Sequence, residues 1–198
     1  MSTVIMQAVV SVDGYIAYDD DLPGHLFDWY GNGDVEVLPG LRVSQASAEY
    51  VRPFWENIGV LVIGRHLFDF VNGWEGRPPT GEHVVVVSHR PKPEGWHPEA
   101  KYHFVDSVEK GIARAKELAG ERLVCVTAGK VAGQALTAGL VDEIAMDVAP
   151  VVLGKGKRFF GDYAATMLLS DPVQVVQGSR VLHVRYRVEG PAEPSATD

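Results

Sequence analysis

The sequence predicts an α/β fold with a mostly parallel central sheet and a C-terminal antiparallel hairpin. Two observations carry that prediction. Short, β-branched apolar runs alternate with segments of helical periodicity, as in strands joined by crossover helices. The chain then closes on two strand-like runs around Gln177-Gly178-Ser179-Arg180, the second alternating residue by residue. Its 198 residues, 46 % hydrophobic and 22 % charged, suit one folded domain. No linker divides it. Residues 1–188 are therefore read as one domain and residues 189–198, which hold no large apolar side chain, as a disordered tail.

Val4 to Val10 is too short for a typical helix and reads as a strand buried on both faces, followed by the turn signal Asp13-Gly14. Residues 19–40 read as loop around the aromatic cluster Phe27, Trp29 and Tyr30, with room for a short helix. Ser44 caps a helix to about Asn57, with Ala46, Tyr50 and Phe54 on one face and Gly59 as its stop. Val60 to Ile63, Val84 to Val87 and Tyr102 to Val105 are the next strands, separated by Gly/Pro-rich loops. Ser107 opens the clearest helix, in which Val108, Ile112, Ala115 and Leu118 share a face and Gly120 ends the run. Leu123 to Val126 is a fifth strand, Lys130 to Ala138 a short helix, and Ile144 to Val148 a sixth strand. In the closing hairpin, Val173–Val176 and Val181–Val188, the side chains Leu182, Val184, Tyr186 and Val188 form an apolar face. Val181, His183, Arg185 and Arg187 form the other.

Composition narrows the function. Eighteen Lys+Arg against twenty-six Asp+Glu give a net charge of −8, which disfavours nucleic acid and anionic membranes as partners. No run approaches the roughly 18 apolar residues of a membrane span. The N-terminus lacks a basic segment ahead of an apolar one, so no signal peptide is expected. The single cysteine, Cys125, excludes an internal disulfide and a Cys-based zinc cage, and its apolar strand suits a core thiol. A reducing, cytoplasmic setting is expected. There is no H-E-x-x-H pattern and no G-x-S-x-G elbow, which argues against a metal site and a serine nucleophile.

In parallel sheets ligands bind beyond the carboxyl ends of the strands. Three strand exits here carry polar or cationic residues: Gly64-Arg65-His66, Ser88-His89-Arg90 and Thr127-Ala128-Gly129-Lys130. The last opens a helix, whose N-terminal N–H groups suit an anion. Taken singly, each is a common turn or loop; together they point to a polyanion such as a dinucleotide. A Walker A loop is absent, since neither Gly129-Lys130 nor Gly156-Lys157 is followed by Ser or Thr. Asp28, between Phe27 and Trp29, is a candidate acid, although a helix cap is the commoner role for such a residue.

A series of motifs in order resembles the dihydrofolate reductase-like fold, in the branch containing the reductase domain of bacterial riboflavin-biosynthesis deaminase-reductases. They are Ser11-Val12-Asp13-Gly14-Tyr15-Ile16-Ala17, Val62-Ile63-Gly64-Arg65, Val87-Ser88-His89-Arg90 and Val126-Thr127-Ala128-Gly129-Lys130-Val131. The most specific are Ala138-Gly139-Leu140-Val141-Asp142-Glu143 and Ala149-Pro150-Val151-Val152-Leu153-Gly154-Lys155-Gly156 with Phe159-Phe160. The resemblance spans residues 4 to about 187.

It implies a three-layer sandwich and an NADPH-dependent reductase that passes a hydride to a small pyrimidine- or pterin-like substrate. Backbone groups of Val9 and Ile16 would bracket the nicotinamide. Gly64 would close the strand before Arg65, His66 and Leu67, which would begin a helix over the phosphates. Ser88, His89 and Arg90 would meet the adenosine 2′-phosphate, and Thr127, Ala128, Gly129, Lys130 and Val131 the pyrophosphate. Ala128 replaces one glycine of the family's pair, and Leu67 stands where dihydrofolate reductases carry a phosphate-touching Thr. The proton would come from Asp28 or from water. No zinc motif precedes the domain, so a stand-alone reductase is expected. A ribosylaminopyrimidine reductase of riboflavin synthesis and a nucleotide-binding module without catalysis are the alternatives. The apolar hairpin face and the habit of this branch imply a homodimer.

Overall fold

The computed structural model describes residues 2–191. The strands are β1 (Val4–Ser11), β2 (Tyr15–Ala17), β3 (Val35–Leu38), β4 (Leu41–Val43), β5 (Ile58–Gly64), β6 (His83–Val87), β7 (Tyr102–Val105), β8 (Leu123–Thr127), β9 (Glu143–Ala149), β10 (Lys157–Arg158), β11 (Met167–Leu169), β12 (Gln174–Gly178) and β13 (Val181–Pro191). The helices are α1 (Gln45–Glu56), α2 (Arg65–Phe70), α3 (Val108–Ala119) and α4 (Lys130–Thr137), with a 3-10 turn over Gly24–Tyr30.

One sheet organises the molecule. Its order is β11-β13-β9-β1-β8-β5-β6-β7, and β12 also pairs with β13. From β9 to β7 every pairing is parallel; β13 joins β9 antiparallel and carries β12 and β11 on its other side. The parallel strands are the apolar runs of the sequence, and both of their faces are covered. On one face Val4, Met6, Val62, Val85 and Val126 pack against Ile112 and Ala115 of α3 and Ala132 and Leu136 of α4. On the other, Ile5, Ile63 and Val86 pack with Phe54 of α1 and Phe68 of α2. Val9 joins Leu26, Trp29 and Val51 in a third cluster on that side. The result is the expected three-layer α/β sandwich. Cys125 is buried at its centre, and that burial pushes the thiol up to about 12.

Helix ends follow their caps. Ser44 Oγ accepts from Ser47 N at 3.3 Å to open α1, and Ser107 Oγ accepts from Lys110 N at 3.2 Å to open α3. Gly120, at φ +62°, ends α3.

Three readings of the sequence change. Residues 19–40 are not all loop: β3 and β4 form a small hairpin, and the aromatic cluster lies in the 3-10 turn. Such two- to four-residue pairings carry too little periodicity to be seen in sequence. The last strand runs to Pro191, with Gly190 and Pro191 pairing Leu168 and Met167, so residues 189–191, read as the start of the tail, belong to the sheet. The rest of that tail, 192–198, lies outside the described residues. Finally, the supposedly polar hairpin face holds a fully buried His183, while Leu182 of the apolar face is 39 % exposed. Helix α1 and the 24–30 turn cover the His183 side.

Candidate active site

The carboxyl ends of β8, β5 and β6 are neighbours at one sheet edge, which brings the three expected junctions together. A Cβ placed on Gly64 would lie 3.0 Å from Val131 Cγ2, so the β5–α2 and β8–α4 junctions touch. Gly129 caps α4 with φ +110° and no side-chain cap. Its N–H donates to Phe159 O at 2.8 Å, whereas the N–H groups of the first turn of α4 have no partner inside the helix. A Cβ on Gly129 would meet only Ile16 Cδ1, at 3.5 Å, so Ile16 reaches across the glycine with space between. Thr127 Oγ1 donates to Val62 O at 3.3 Å, and Ala128 N donates to Gln7 O at 3.0 Å while its methyl packs on the core. The N–H groups of the first turn of α4 are the donors at this junction that suit a pyrophosphate.

The cations at this edge are already engaged. Arg65 donates to Asp69 Oδ1 at 2.7 Å and to Pro91 O at 2.9 Å, and its guanidinium lies over the rings of Phe68 and Phe104. Arg90 donates to the other oxygen of Asp69 at 2.6 Å. Partial burial works upward on the Asp69 carboxyl, but the hydrogen bonds from the two arginines prevail and hold it below the usual carboxylate range. Ser88 Oγ accepts from Arg90 N at 2.9 Å and donates to Arg90 O, shaping the turn. His89 is exposed on the opposite side, in a depression shared with Ser107 of α3 and Gln134 of α4. His66 meets Asp21 at 2.8 Å, and Lys157 bonds both Asp21 and His66. Lys130 lies 3.5 Å from Asp162. Leu67 turns into the core beside Phe68.

Two readings of site residues need revision. Asp28 is 44 % exposed and pairs with the exposed His25 at 3.0 Å on the surface of the 3-10 turn. The 3-10 turn aims Leu26 and Trp29 inward and leaves Asp28 in solvent, so it is set aside as the acid. His89, expected beside Arg90, instead lies on the side of α3 and α4. Arg65 begins α2 as expected and also ties it to the loop after β6.

Val9, expected beside the nicotinamide, is the register partner of Asp147 on β9. Asp147 is 3 % exposed. It accepts from Gln7 Nε2 at 2.9 Å and pairs with His183 Nδ1 at 2.6 Å; His183 Nε2 lies 3.0 Å from Ser47 Oγ. This polar chain escaped the sequence reading. The one visible signal was a lone carboxylate in the apolar run Ile144–Val148. Asp13, just beyond β1, accepts from Ser11 Oγ at 2.6 Å, Leu153 N at 3.1 Å and Gly154 N at 2.7 Å. The Ser11 hydroxyl first, then those N–H groups, hold its carboxyl below the usual range.

The profile of the RibD C-terminal domain family matches residues 2–184. No curated protein matches the chain. Among solved structures it is similar to a protein of Shewanella sp. PV-4 assigned to riboflavin biosynthesis, at 21 % identity and TM-score 0.68, covering 94 % of this chain and 99 % of that one. It is also similar to Acinetobacter baumannii RibD, at 14 % identity and TM-score 0.62, covering 95 % of this chain and 58 % of that one. A third is a Thermotoga maritima diaminohydroxyphosphoribosylaminopyrimidine deaminase/5-amino-6-(5-phosphoribosylamino)uracil reductase, at 15 % identity and TM-score 0.60, covering 96 % of this chain and 57 % of that one. The chain thus spans a little over half the length of the latter two. At these identities the likeness shows the fold.

Proposed function

Because the chain belongs to the RibD C-terminal domain family, we propose that it is a reductase that uses NADPH on a small pyrimidine- or pterin-like molecule. The observation that carries this reading is the convergence of the β5, β6 and β8 exits on one edge, with Gly129 and the first turn of α4 at its centre. The first turn of α4 would receive the pyrophosphate through its backbone N–H groups, with the Cα of Gly129 beside it. Ser88 and Arg90 would face the 2′-phosphate, with Arg65 bonding the carbonyls of their loop. Val9 and Ile16 would hold the nicotinamide against β1. Bound there, the cofactor supplies a hydride; the chain supplies orientation, exclusion of water and a proton.

A narrower reading takes the substrate to be the ribosylaminopyrimidine named for the Thermotoga protein. The whole of that protein is longer, so this stays the narrower proposal. A cytoplasmic setting agrees with both readings; among the described residues no helix is long and apolar enough to cross a membrane.

Titration with NADPH and NADH, followed by nicotinamide fluorescence, is the first test. NADPH oxidation with a panel of aminopyrimidines and pterins is the second. Saturable NADPH binding with turnover of one panel member is expected. Absence of binding by either nucleotide at millimolar concentration would sink the proposal, and binding without turnover across the panel would favour a nucleotide-binding module.

A further inference from the structure

Three polar side chains from separate elements meet at the start of α2. His66 is the second residue of that helix, two places after Gly64, whose added Cβ would lie 3.0 Å from Val131 of α4. Lys157 begins β10, which pairs with β2. The β2–β10 ribbon in turn meets the start of α4: Ile16 of β2 reaches to Gly129, and Gly129 N donates to Phe159 O, two residues past Lys157. The start of α4 thus touches both the start of α2 and the ribbon. Asp21, on the turn that leaves β2, joins these two. Its carboxylate accepts from Lys157 Nζ, and His66 Nε2 lies 2.8 and 2.9 Å from its two oxygens.

Lys157 Nζ is also 2.8 Å from His66 Nε2. An Nε2–H that donates to Asp21 cannot accept from Lys157 as well, so ammonium and ring supply two donors that converge on one carboxylate. Two donors so placed suit an anion. Partial burial pulls the Lys157 ammonium below its ordinary value of 10.5, against the charges of Asp19 and Asp20, which work upward. The lysine is therefore partly withdrawn from water, while His66 stays largely exposed and leaves the cluster open to solvent.

The anion that fills this point is part of a small turn. Tyr18 N donates to Leu22 O at 3.0 Å and Asp21 N to Tyr18 O at 3.2 Å, which closes residues 18–22 on themselves. Asp21 stands in it at φ +71°, a left-handed conformation that Asp and Asn tolerate better than other side chains. Ion pairs reached by solvent are individually weak. A phosphate carries more charge and more acceptor oxygens than a carboxylate, so it competes well for the same two donors.

We propose that Lys157 and His66 form a phosphate site that Asp21 fills from within the chain, and that cofactor binding exchanges the Asp21 carboxylate for a phosphate and releases the 18–22 turn. Asp21 is then a built-in competitor that sets nucleotide affinity, and Lys157 a binding residue beyond the three strand exits. The site itself is read from the chain; that the arriving phosphate belongs to the cofactor rests on the reductase reading.

Inorganic pyrophosphate and NADPH serve as separate probes, at constant pH and ionic strength. In 15N-labelled protein the His66 ring signals, assigned by their loss in His66→Gln, are followed through each titration. Asp21→Asn removes the charge and keeps a residue that tolerates the left-handed backbone. It should bind both probes about fivefold more tightly than wild type, because the competing ion pair no longer has to open. Lys157→Gln added to Asp21→Asn should abolish that gain. A tie that merely held the fold would give the reverse, weaker binding by Asp21→Asn with a lower urea midpoint. Pyrophosphate affinities of Asp21→Asn and wild type within about twofold of each other would overturn the proposal. So would an equal gain in Asp19→Asn, which removes the same charge from an exposed neighbour, or no pyrophosphate binding by either protein. Should Asp21→Asn lose the native amide spectrum, Asp21→Gly is judged by the same criteria. The pyrophosphate gain without NADPH binding by either protein counts against the reductase reading and leaves the phosphate site standing. NADPH bound equally by both proteins overturns the exchange and leaves the reductase reading standing.

Discussion

The carboxylate of Asp69 sits 2.6 Å from the guanidinium of Arg90 and holds Arg65 on its other oxygen. The cation proposed to read the 2′-phosphate is thus already paired, and a phosphate must share or take over that partner. Arg90 is largely exposed, so solvent screening limits its contribution. Arg90→Ala should weaken NADPH binding by about tenfold and leave NADH nearly unchanged, as expected for loss of one charge-assisted contact of roughly 1.5 kcal/mol. Asp69→Asn should move NADPH affinity the other way. Parallel titrations of both nucleotides decide it: equal losses for the two in Arg90→Ala would place its effect in the fold.

Gly156 approaches the backbone of Ala17 so closely that an added Cβ would collide with the Ala17 carbonyl oxygen, and its φ of +138° disfavours any other residue. Gly156→Ala should therefore detach β2 from β10 and destabilise the protein by roughly 2 kcal/mol or more. A urea midpoint equal to that of wild type would contradict it. The same variant should weaken nucleotide binding, because Ile16 on β2 loses its place over Gly129.

His83 Nδ1 and His103 Nε2 are 3.1 Å apart under α3. Such a bond needs one nitrogen without a proton. Burial first, then Lys101 beside His83 and Arg114 beside His103, holds both imidazoles below their ordinary value of 6.5. As pH falls below about 6.5 the unfolded chain takes up protons before the folded one, so stability drops until the folded histidines titrate as well. Thermal melts from pH 8 to pH 5 should show this loss, at no more than about 1.4 kcal/mol per pH unit for each proton. His103→Gln should flatten the profile below about pH 6.5; a slope equal to that of wild type would assign the effect elsewhere.

On the outer sheet end, Val175 is 55 % exposed and its cross-strand neighbourhood includes exposed Leu182. Unpaired edge strands with apolar side chains call for cover. A homodimer through β12 and β13 is the expected assembly, and Leu182→Lys should dissociate it. Light scattering that gives a monomer mass for the wild type at tens of micromolar would refute this.

The legible part of the fold was the part made of continuous apolar runs. Val60–Ile63 and Val84–Val87 can only be strands buried on both faces, and Ser44 and Ser107 announce their helices through local hydrogen bonds. His183 was misplaced because alternation shows that a strand has two faces without showing what covers each. Its partners, Asp147 and Ser47, lie 36 and 136 residues away along the chain. The same holds for the site: the junction residues were visible as local motifs, while Asp69, Asp21 and Lys157 acquire meaning only when α2 and β10 are folded beside them.

Asp13 pins Leu153 and Gly154, Val12 N is bonded to Val151 O, and Phe159 N to Gly14 O. The two segments flanking Val9 therefore form a single rigid jaw, and neither swings aside without breaking several backbone bonds at once. The opposing segment, 18–40, is fastened across the gap by side chains, Asp21 to Lys157 and Asn32 to Ser179. Under the proposed reading a substrate is admitted on that side, between an ion-paired post at Asp21 and an amide-bearing one at Asn32, while the wall built on β1 stays still.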